Sequence, residues 1–353
     1  MSTTTAKSQP KLASTRQLAR KLGLVMVGPK ALTIARERRG KGFCYRDAKG
    51  KPIEDHETLD RLASLAVPPA YEEVRFAENP RAHLQAIGRD AARRLQYRYH
   101  PDWEKVRETR KAQRLAEFVG ALPRIRRAVS RQLDCDEPTR EFACAAVVEL
   151  VAETSIRAGS EEYANERGTR GAATLLKSNV RCRDGKLSLH FRGKGGKEIE
   201  KESEAPRLVA AVETLRKLPG KRLFQYRAED GEVRTVKARD VNGFLREIAE
   251  TAITLKDFRT LCASAAVLQE LSGVEPADSP TGRRRQVREA VRNAAEELAN
   301  TPTVCRKSYV HEAVLEAFEN GVLEDYADAL KAARSPAKRE QALAEVVAAA
   351  AAA

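Results

Sequence analysis

Several features that would assign the 353-residue sequence to a common chemistry are missing. No apolar run approaches the roughly 18–20 residues that span a bilayer. The six cysteines, at 44, 135, 144, 182, 262 and 305, contain no CxxC pair. They read as reduced thiols of a cytosolic protein. The five histidines show no HxxxH or similar spacing, which argues against a metal site. Gly193-Lys-Gly-Gly-Lys197 is glycine-rich, but it lacks the GxxxxGK[ST] spacing, and a strand follows where a phosphate-binding loop needs a helix. No acid occurs in the first 35 residues, and residues 2–21 are rich in Ser, Thr, Lys and Arg. A mitochondrial transit peptide has that composition. So does a disordered basic arm, the reading taken for residues 1–20 because termini tend to be disordered.

Positive charge is what the chain has in excess. Lys and Arg number 64 against 50 Asp and Glu, a net charge of +14, and the pI is about 9.6. Such a balance favours a polyanion, whether DNA, RNA or an anionic membrane surface, and does not choose among them. The length suits two domains with a sizeable core.

Along the chain, Gly23–Val27 reads as a strand. The cluster Arg36, Arg38 and Arg39 leads into Gly40–Tyr45, and Asp47–Gly50 reads as a turn between two strands. Residues 54–65 have helical periodicity, and Tyr71–Phe76 and His83–Ile87 read as further strands. Gln96, Tyr97, Arg98 and Tyr99 interleave cations and aromatics. That mixture suits a strand along a nucleic-acid groove, or equally an amphipathic strand with its tyrosines on the core. From Trp103 the pattern is helical, with Phe118, Leu122, Ile125 and Val129 on one face. Pro138 suits the first turn of a second helix, in which Ala143, Val147, Leu150, Val151 and Thr154 share a side. Asp184-Gly185 marks a hairpin, Gly193–Lys197 a second tight turn, and the remainder to Leu330 reads as helical. The alanines at 348–353 could extend a last helix.

Five positions carry the chemistry: Arg157, Lys194, Arg259, Asn300 and Tyr309. Singly, each has a plain explanation. Arg157 could be a helix-end surface charge, Lys194 a solvated hairpin tip, and Arg259 the ion-pair partner of Asp257. Asn300 could cap a turn before Pro302, and Tyr309 could be packing. Their contexts together resemble the signatures of type IB DNA topoisomerases. Those contexts are Ile156-Arg-Ala-Gly-Ser-Glu-Glu-Tyr163, Phe191-Arg-Gly-Lys-Gly-Gly-Lys197, Lys256-Asp-Phe-Arg-Thr260 and Lys307-Ser-Tyr-Val-His-Glu-Ala-Val314. Gln96-Tyr-Arg-Tyr-His-Pro101 adds a fifth. Order and spacing agree from about residue 23 to about residue 330, most closely with the compact bacterial and poxvirus-type enzymes.

The resemblance implies that Tyr309 attacks a DNA phosphodiester and keeps a 3′-phosphotyrosyl link. It implies that Arg157 and Arg259 hold the non-bridging oxygens. Lys194 would protonate the departing 5′-oxygen, and Asn300, where poxvirus-type enzymes resemble one another in carrying His, would donate a hydrogen bond to the same phosphate. Elementary chemistry is consistent with this. A free phenol titrates near 10 and is a poor nucleophile at neutral pH. Fixed cations aimed at developing phosphate charge lower the barrier without a metal ion. One phosphodiester is exchanged for another, so no nucleotide is consumed. The sequence departs from the family pattern at Leu261, where an aromatic residue is usual, and at Ser160, where Asn is common; neither is a catalytic side chain.

The expected fold is α+β, a bilobed clamp. A basic arm covers 1–20, a small β-rich DNA-clamp domain 21–110 and a mostly helical catalytic domain of the tyrosine recombinase/topoisomerase IB type 111–345. An alanine-rich tail at 346–353 follows. The expected activity is ATP-independent relaxation of positive and negative supercoils by single-strand cleavage and rejoining. The expected partner is double-stranded DNA, bound in part through Gln96, Tyr97, Arg98 and Tyr99. No cofactor, metal or membrane is expected, and the protein would act as a monomer in the cytoplasm, associated with the nucleoid. The alternatives are a tyrosine recombinase or integrase, whose second arginine usually stands in His-x-x-Arg where this chain has Lys256-x-x-Arg259, and a non-catalytic DNA-binding protein on the same fold.

Overall fold

The structure is a computed structural model, and it describes residues 13–40, 42–326, 330 and 336–352. The chain forms two compact units, Met1–Lys111 and Ala112–Ala353. The architecture is α+β, with a β-rich amino-terminal unit and a mostly helical carboxy-terminal one.

The first unit opens with α1 (Thr15–Lys21), where Ser14 and Gln17 form a reciprocal capping box. Residues 15–20 are therefore helical, which corrects the expected disorder there; residues 1–12 lie outside the described residues. Gly23–Val27 is not a strand. Only Val25 pairs, in an isolated parallel bridge to Ala82. A five-stranded sheet follows, built from β1 (Ile34–Arg39), β2 (Gly42–Arg46), β3 (Glu72–Phe76), β4 (Leu84–Arg89) and β5 (Leu95–Tyr99). Its pairs are antiparallel, in the order β2-β1-β3-β4-β5. The arginine cluster belongs to β1. There Arg36 donates to the carbonyls of Val67, Pro68 and Tyr71 and lies 4.2 Å from the Phe43 ring centroid. The Asp47–Gly50 turn leads from β2 to a single bridge at Pro52, not to a second full strand. Helix α2 (His56–Ser64), capped by Asp55, places Leu62 with Ile34, Val74, Phe76 and Ala86 in a small core.

Helix α3 (Trp103–Leu133) carries the expected face, with Phe118, Leu122, Ile125 and Val129 all buried. The second unit is built round α4 (Arg140–Thr154), whose residues from Phe142 to Val148 are buried without interruption. A helix apolar all round is a core helix. Pro138 lies before its cap, not in its first turn. Thr139 accepts the Phe142 N–H at 3.1 Å, and the Pro138 carbonyl accepts the Arg227 N–H at 3.0 Å. After α5 (Glu161–Arg167) comes an antiparallel sheet of β6 (Val180–Arg183), β7 (Lys186–Arg192) and β8 (Glu198–Ser203). Asp184 and Gly185, with φ of 51° and 74°, make the expected tight turn.

Helix α6 (Pro206–Arg216) precedes a hairpin absent from the expectation, β9 (Gln225–Arg227) with β10 (Val233–Thr235). Strands of three residues are too short to show a period of two. The chain continues through α7 (Ala238–Ala249), α8 (Leu255–Ser272), α9 (Pro280–Glu297), α10 (Pro302–Ser308), α11 (Glu312–Glu319) and α12 (Pro336–Ala352). Residues 346–352 continue α12, with Val346 and Val347 in the main core. Among the described residues no helix is long and apolar enough to cross a membrane.

Candidate active site

Tyr309 stands at the end of α10. Thr301 caps that helix, accepting the Val304 N–H, and Pro302 occupies its first turn. Asn300 is therefore not the cap, which frees its side chain. Tyr309 is 9% exposed, and its backbone is tied to α8 by one hydroxyl. Ser264, fully buried, donates to the Tyr309 carbonyl at 3.0 Å and accepts the His311 N–H at 3.1 Å.

Helix α8 also carries Arg259, 3% exposed. Asp257 is not its partner. That carboxylate caps α8 through the Thr254 N–H at 2.7 Å, and Arg114 grips it with two nitrogens. Arg259 instead donates to the carbonyls of Ser155 and Leu298. Its Nε is buried without a hydrogen-bond partner among the described residues. Burial lowers its pKa, Tyr309 pulls it back up and Arg157 pushes it down again. The guanidinium carbon lies 4.8 Å from the centroid of the Tyr309 ring.

Arg157 follows Ser155, whose left-handed φ of 53° ends α4. Its segment is strapped to residues 171–173. The Ala172 N–H donates to the Arg157 carbonyl at 2.7 Å, and the Ala173 N–H to the Ala158 carbonyl at 2.9 Å. The approach requires glycine at 171, because a Cβ there would stand 2.5 Å from the Arg157 carbonyl oxygen. The Arg157 side chain donates to Asn300 Oδ1. Asn300 is fixed through its backbone, with its N–H on the Ala295 carbonyl at 2.8 Å and its carbonyl accepting Lys197 Nζ at 3.3 Å. Its amide Nδ2 is buried and unpartnered among the described residues. An orphaned buried donor costs about 1–3 kcal/mol, so Arg259 Nε and Asn300 Nδ2 are buried donors with the chemistry to bind an anion.

Lys194 sits on the β7–β8 turn, where Gly195 and Gly196 both take φ of 77°. It is exposed and lines one narrow cleft with Arg157, Arg170 and Arg259. The structure thus joins Arg157 to Asn300 and Arg259 to Tyr309, and puts Lys194 on the cleft of the two arginines. Among the described residues no hydrogen bond or ring contact joins Lys194 to Tyr309.

Burial by itself would raise the Tyr309 pKa. Arg259, Arg157 and Lys256 outweigh it and bring the phenol below its usual value. Lys256 Nζ is 5.8 Å from the ring centroid. Burial pushes the neighbouring Cys305 thiol up to about 11 and raises Cys262, so neither competes as a thiolate. The sequence reading omitted Lys256 as a site residue, although it lies one helical turn before Arg259. It also omitted Arg170, Lys197, Gly171 and Ser264, for which no local signal exists.

The four residues on β5 divide by strand period. Gln96 and Arg98 share one face, while Tyr97 and Tyr99 share the other. Gln96 donates to Asp90 at 2.9 Å and Arg98 to the Ala66 carbonyl at 3.2 Å. The tyrosines are 45% and 41% exposed and stack on each other, and Tyr99 stacks on Trp103. They are not core residues, and β5 is an edge of the sheet.

Comparison with known proteins bears on this geometry. Residues 100–336 match the family described as eukaryotic DNA topoisomerase I, catalytic core. Residues 42–90 match the bacterial DNA topoisomerase IB amino-terminal domain. The DNA topoisomerase 1B of Acanthamoeba polyphaga mimivirus is 30% identical over 294 residues, covering 81% of this chain and 88% of that protein. Both units are matched, the core match includes all five candidate residues of the second unit, and the chain belongs to the type IB DNA topoisomerases.

Proposed function

We propose that Tyr309 is the nucleophile of DNA cleavage, and that Arg157, Arg259, Asn300 and Lys194 act on the same phosphate. The observation that carries this is the phenol ring beside a buried Arg259 that forms no ion pair with an acid among the described residues. Tyr309 releases its phenol proton to solvent and its oxygen attacks phosphorus, a 3′-phosphotyrosyl bond forms, and the bond to the 5′-oxygen breaks. Arg157, Arg259 and the Asn300 amide stabilise the charge gathering on the non-bridging oxygens. Lys194 gives the leaving 5′-oxygen its proton. Reversal of the same steps reseals the strand, and while the 5′-hydroxyl end is free, torsion drives rotation in either sense. Nothing is oxidised and no nucleotide is consumed.

Gln96, Tyr97, Arg98 and Tyr99 contact the duplex in this reading, with β5 offering an amide and one cation on one face and stacked rings on the other. The enzyme acts as a monomer in the nucleoid-containing cytoplasm. Its noncovalent affinity falls steeply with salt, as counterion release at phosphates requires.

The test is relaxation of supercoiled plasmid in EDTA without ATP, comparing wild type with Tyr309→Phe. Wild type relaxes and forms a denaturant-stable DNA adduct, whereas Tyr309→Phe binds DNA and does neither. Relaxation by Tyr309→Phe rules out this nucleophile. Binding without relaxation by either protein favours a DNA-binding or recombinase role.

A further inference from the structure

The groove between α9 and α10 has a chemistry that cleavage does not use. Its volume is about 520 Å³, within the roughly 300–1,000 Å³ of ligand pockets. Arg285, Arg288 and Arg292 line one wall, spaced three and four residues apart on α9 and so on one helical face. Arg306 and Lys307 line the other wall, from α10; exposed Pro302 is its apolar lining, with the core residue Val291, 3% exposed, beneath it.

Two of these cations are already neutralised. Arg292 pairs with Glu289, and Arg306 pairs with Glu312 at 2.6 Å. Arg285, Arg288 and Lys307 make no ion pair or hydrogen bond among the described residues, and Glu289 is the one acid on the groove's described lining. Uncompensated cations thus ring an apolar patch. A DNA duplex matches the charge but not the shape. It is convex on this scale, and its backbone has no protruding apolar side chain to seat in a concavity. A peptide side chain fits both.

We infer that this groove binds an acidic segment of a partner protein. An aromatic or branched aliphatic side chain of that segment packs on Pro302 and the aliphatic stems of the lining arginines, and its carboxylates meet Arg285, Arg288 and Lys307. Guanidinium–carboxylate pairs can be bidentate and fix the register, and the seated side chain supplies the anchor on which most of the affinity rests. Helix α10 ends at Tyr309, so the partner is held on the helix that carries the proposed nucleophile, through side chains the cleavage chemistry leaves unused. The inference does not depend on the assignment of Tyr309.

The experiment uses the full chain and a fluorescein-labelled peptide, a run of aspartates ending in phenylalanine, read by fluorescence anisotropy. Wild type binds it. Replacing the peptide's phenylalanine by alanine weakens binding at least about tenfold, the loss of about 1.4 kcal/mol, and so does Arg288→Glu in the protein. Arg288→Glu retains plasmid relaxation, which shows that it is folded. Equal binding without the phenylalanine reduces the groove to a charged surface and overturns the inference. Unchanged affinity in Arg288→Glu places the peptide elsewhere and overturns it too. If Arg288→Glu instead weakens a short duplex while sparing the peptide, the groove belongs to the DNA path and the inference fails.

Discussion

Removing the Ser264 hydroxyl is the sharpest perturbation the structure offers. Ser264 is fully buried and hydrogen-bonds both the Tyr309 carbonyl and the His311 N–H. Ser264→Ala removes both bonds. A hydrogen bond contributes about 0.5–1.5 kcal/mol net, so the loss is about 1–3 kcal/mol. Domain stability is about 5–15 kcal/mol, so urea unfolding will register the change. The kinetic effect comes from position. Arg259 lies on the same helix as Ser264, with its guanidinium carbon 4.8 Å from the Tyr309 ring centroid. Untying the Tyr309 backbone from that helix lets ring and cation drift, and a misplacement of about 1 Å costs roughly a hundredfold in rate. Single-turnover cleavage should therefore slow by one to two orders of magnitude (~10–100-fold), while noncovalent DNA affinity stays unchanged. Stability within about 0.5 kcal/mol of wild type together with an unchanged cleavage rate would refute the idea that this hydroxyl positions the nucleophile.

Asn300→Ala removes an unpartnered donor while its backbone anchors to Ala295 and Lys197 remain. Cleavage should fall about 10²–10³-fold, as for loss of one charge-stabilising donor, and a fall under about threefold would remove Asn300 from the site. Burial resists ionisation of Tyr309, but Arg259, Arg157 and Lys256 bring its pKa below the usual value of about 10. The cleavage rate should rise with pH and level off below that value, and Lys256→Gln should move the inflection upward; an inflection that stays put excludes Lys256. The linked stability has a definite sign: a depressed phenol stabilises the fold above the unfolded pKa of about 10, and this is lost as pH falls through the folded value. Leu261→Trp should keep relaxation within about a hundredfold of wild type, nearly 3 kcal/mol of barrier. Leu261 lines a groove of about 710 Å³ with Phe258 and Cys262, which leaves room for the ring. A larger loss in the plasmid assay would show that the position is not mere packing.

What could be read locally was read correctly where a period or a turn was long enough to register. The buried face of α3 follows the helical period, and the β6–β7 hairpin follows from Asp184-Gly185, whereas α4 is buried on every side from Phe142 to Val148 and not only on the expected face. Gly23–Val27 has strand composition but only one pairing partner, because a strand exists only where another backbone offers its hydrogen bonds. The β9–β10 hairpin escaped because three residues carry no period. At the proposed site, motif order picked out Arg157, Lys194, Arg259, Asn300 and Tyr309 as candidates. It could not say which of them meet. The bonds from Arg157 to Asn300 and from Arg259 to Ser155 join residues 143 and 104 positions apart, and Ser264 reaches Tyr309 across 45. Sequence determined the elements and the supply of cations. Tertiary structure alone decided that Asp257 serves Arg114 and that Arg259 has no acidic partner among the described residues, because burial and pairing are properties of groups that packing brings together, not of neighbours along the chain.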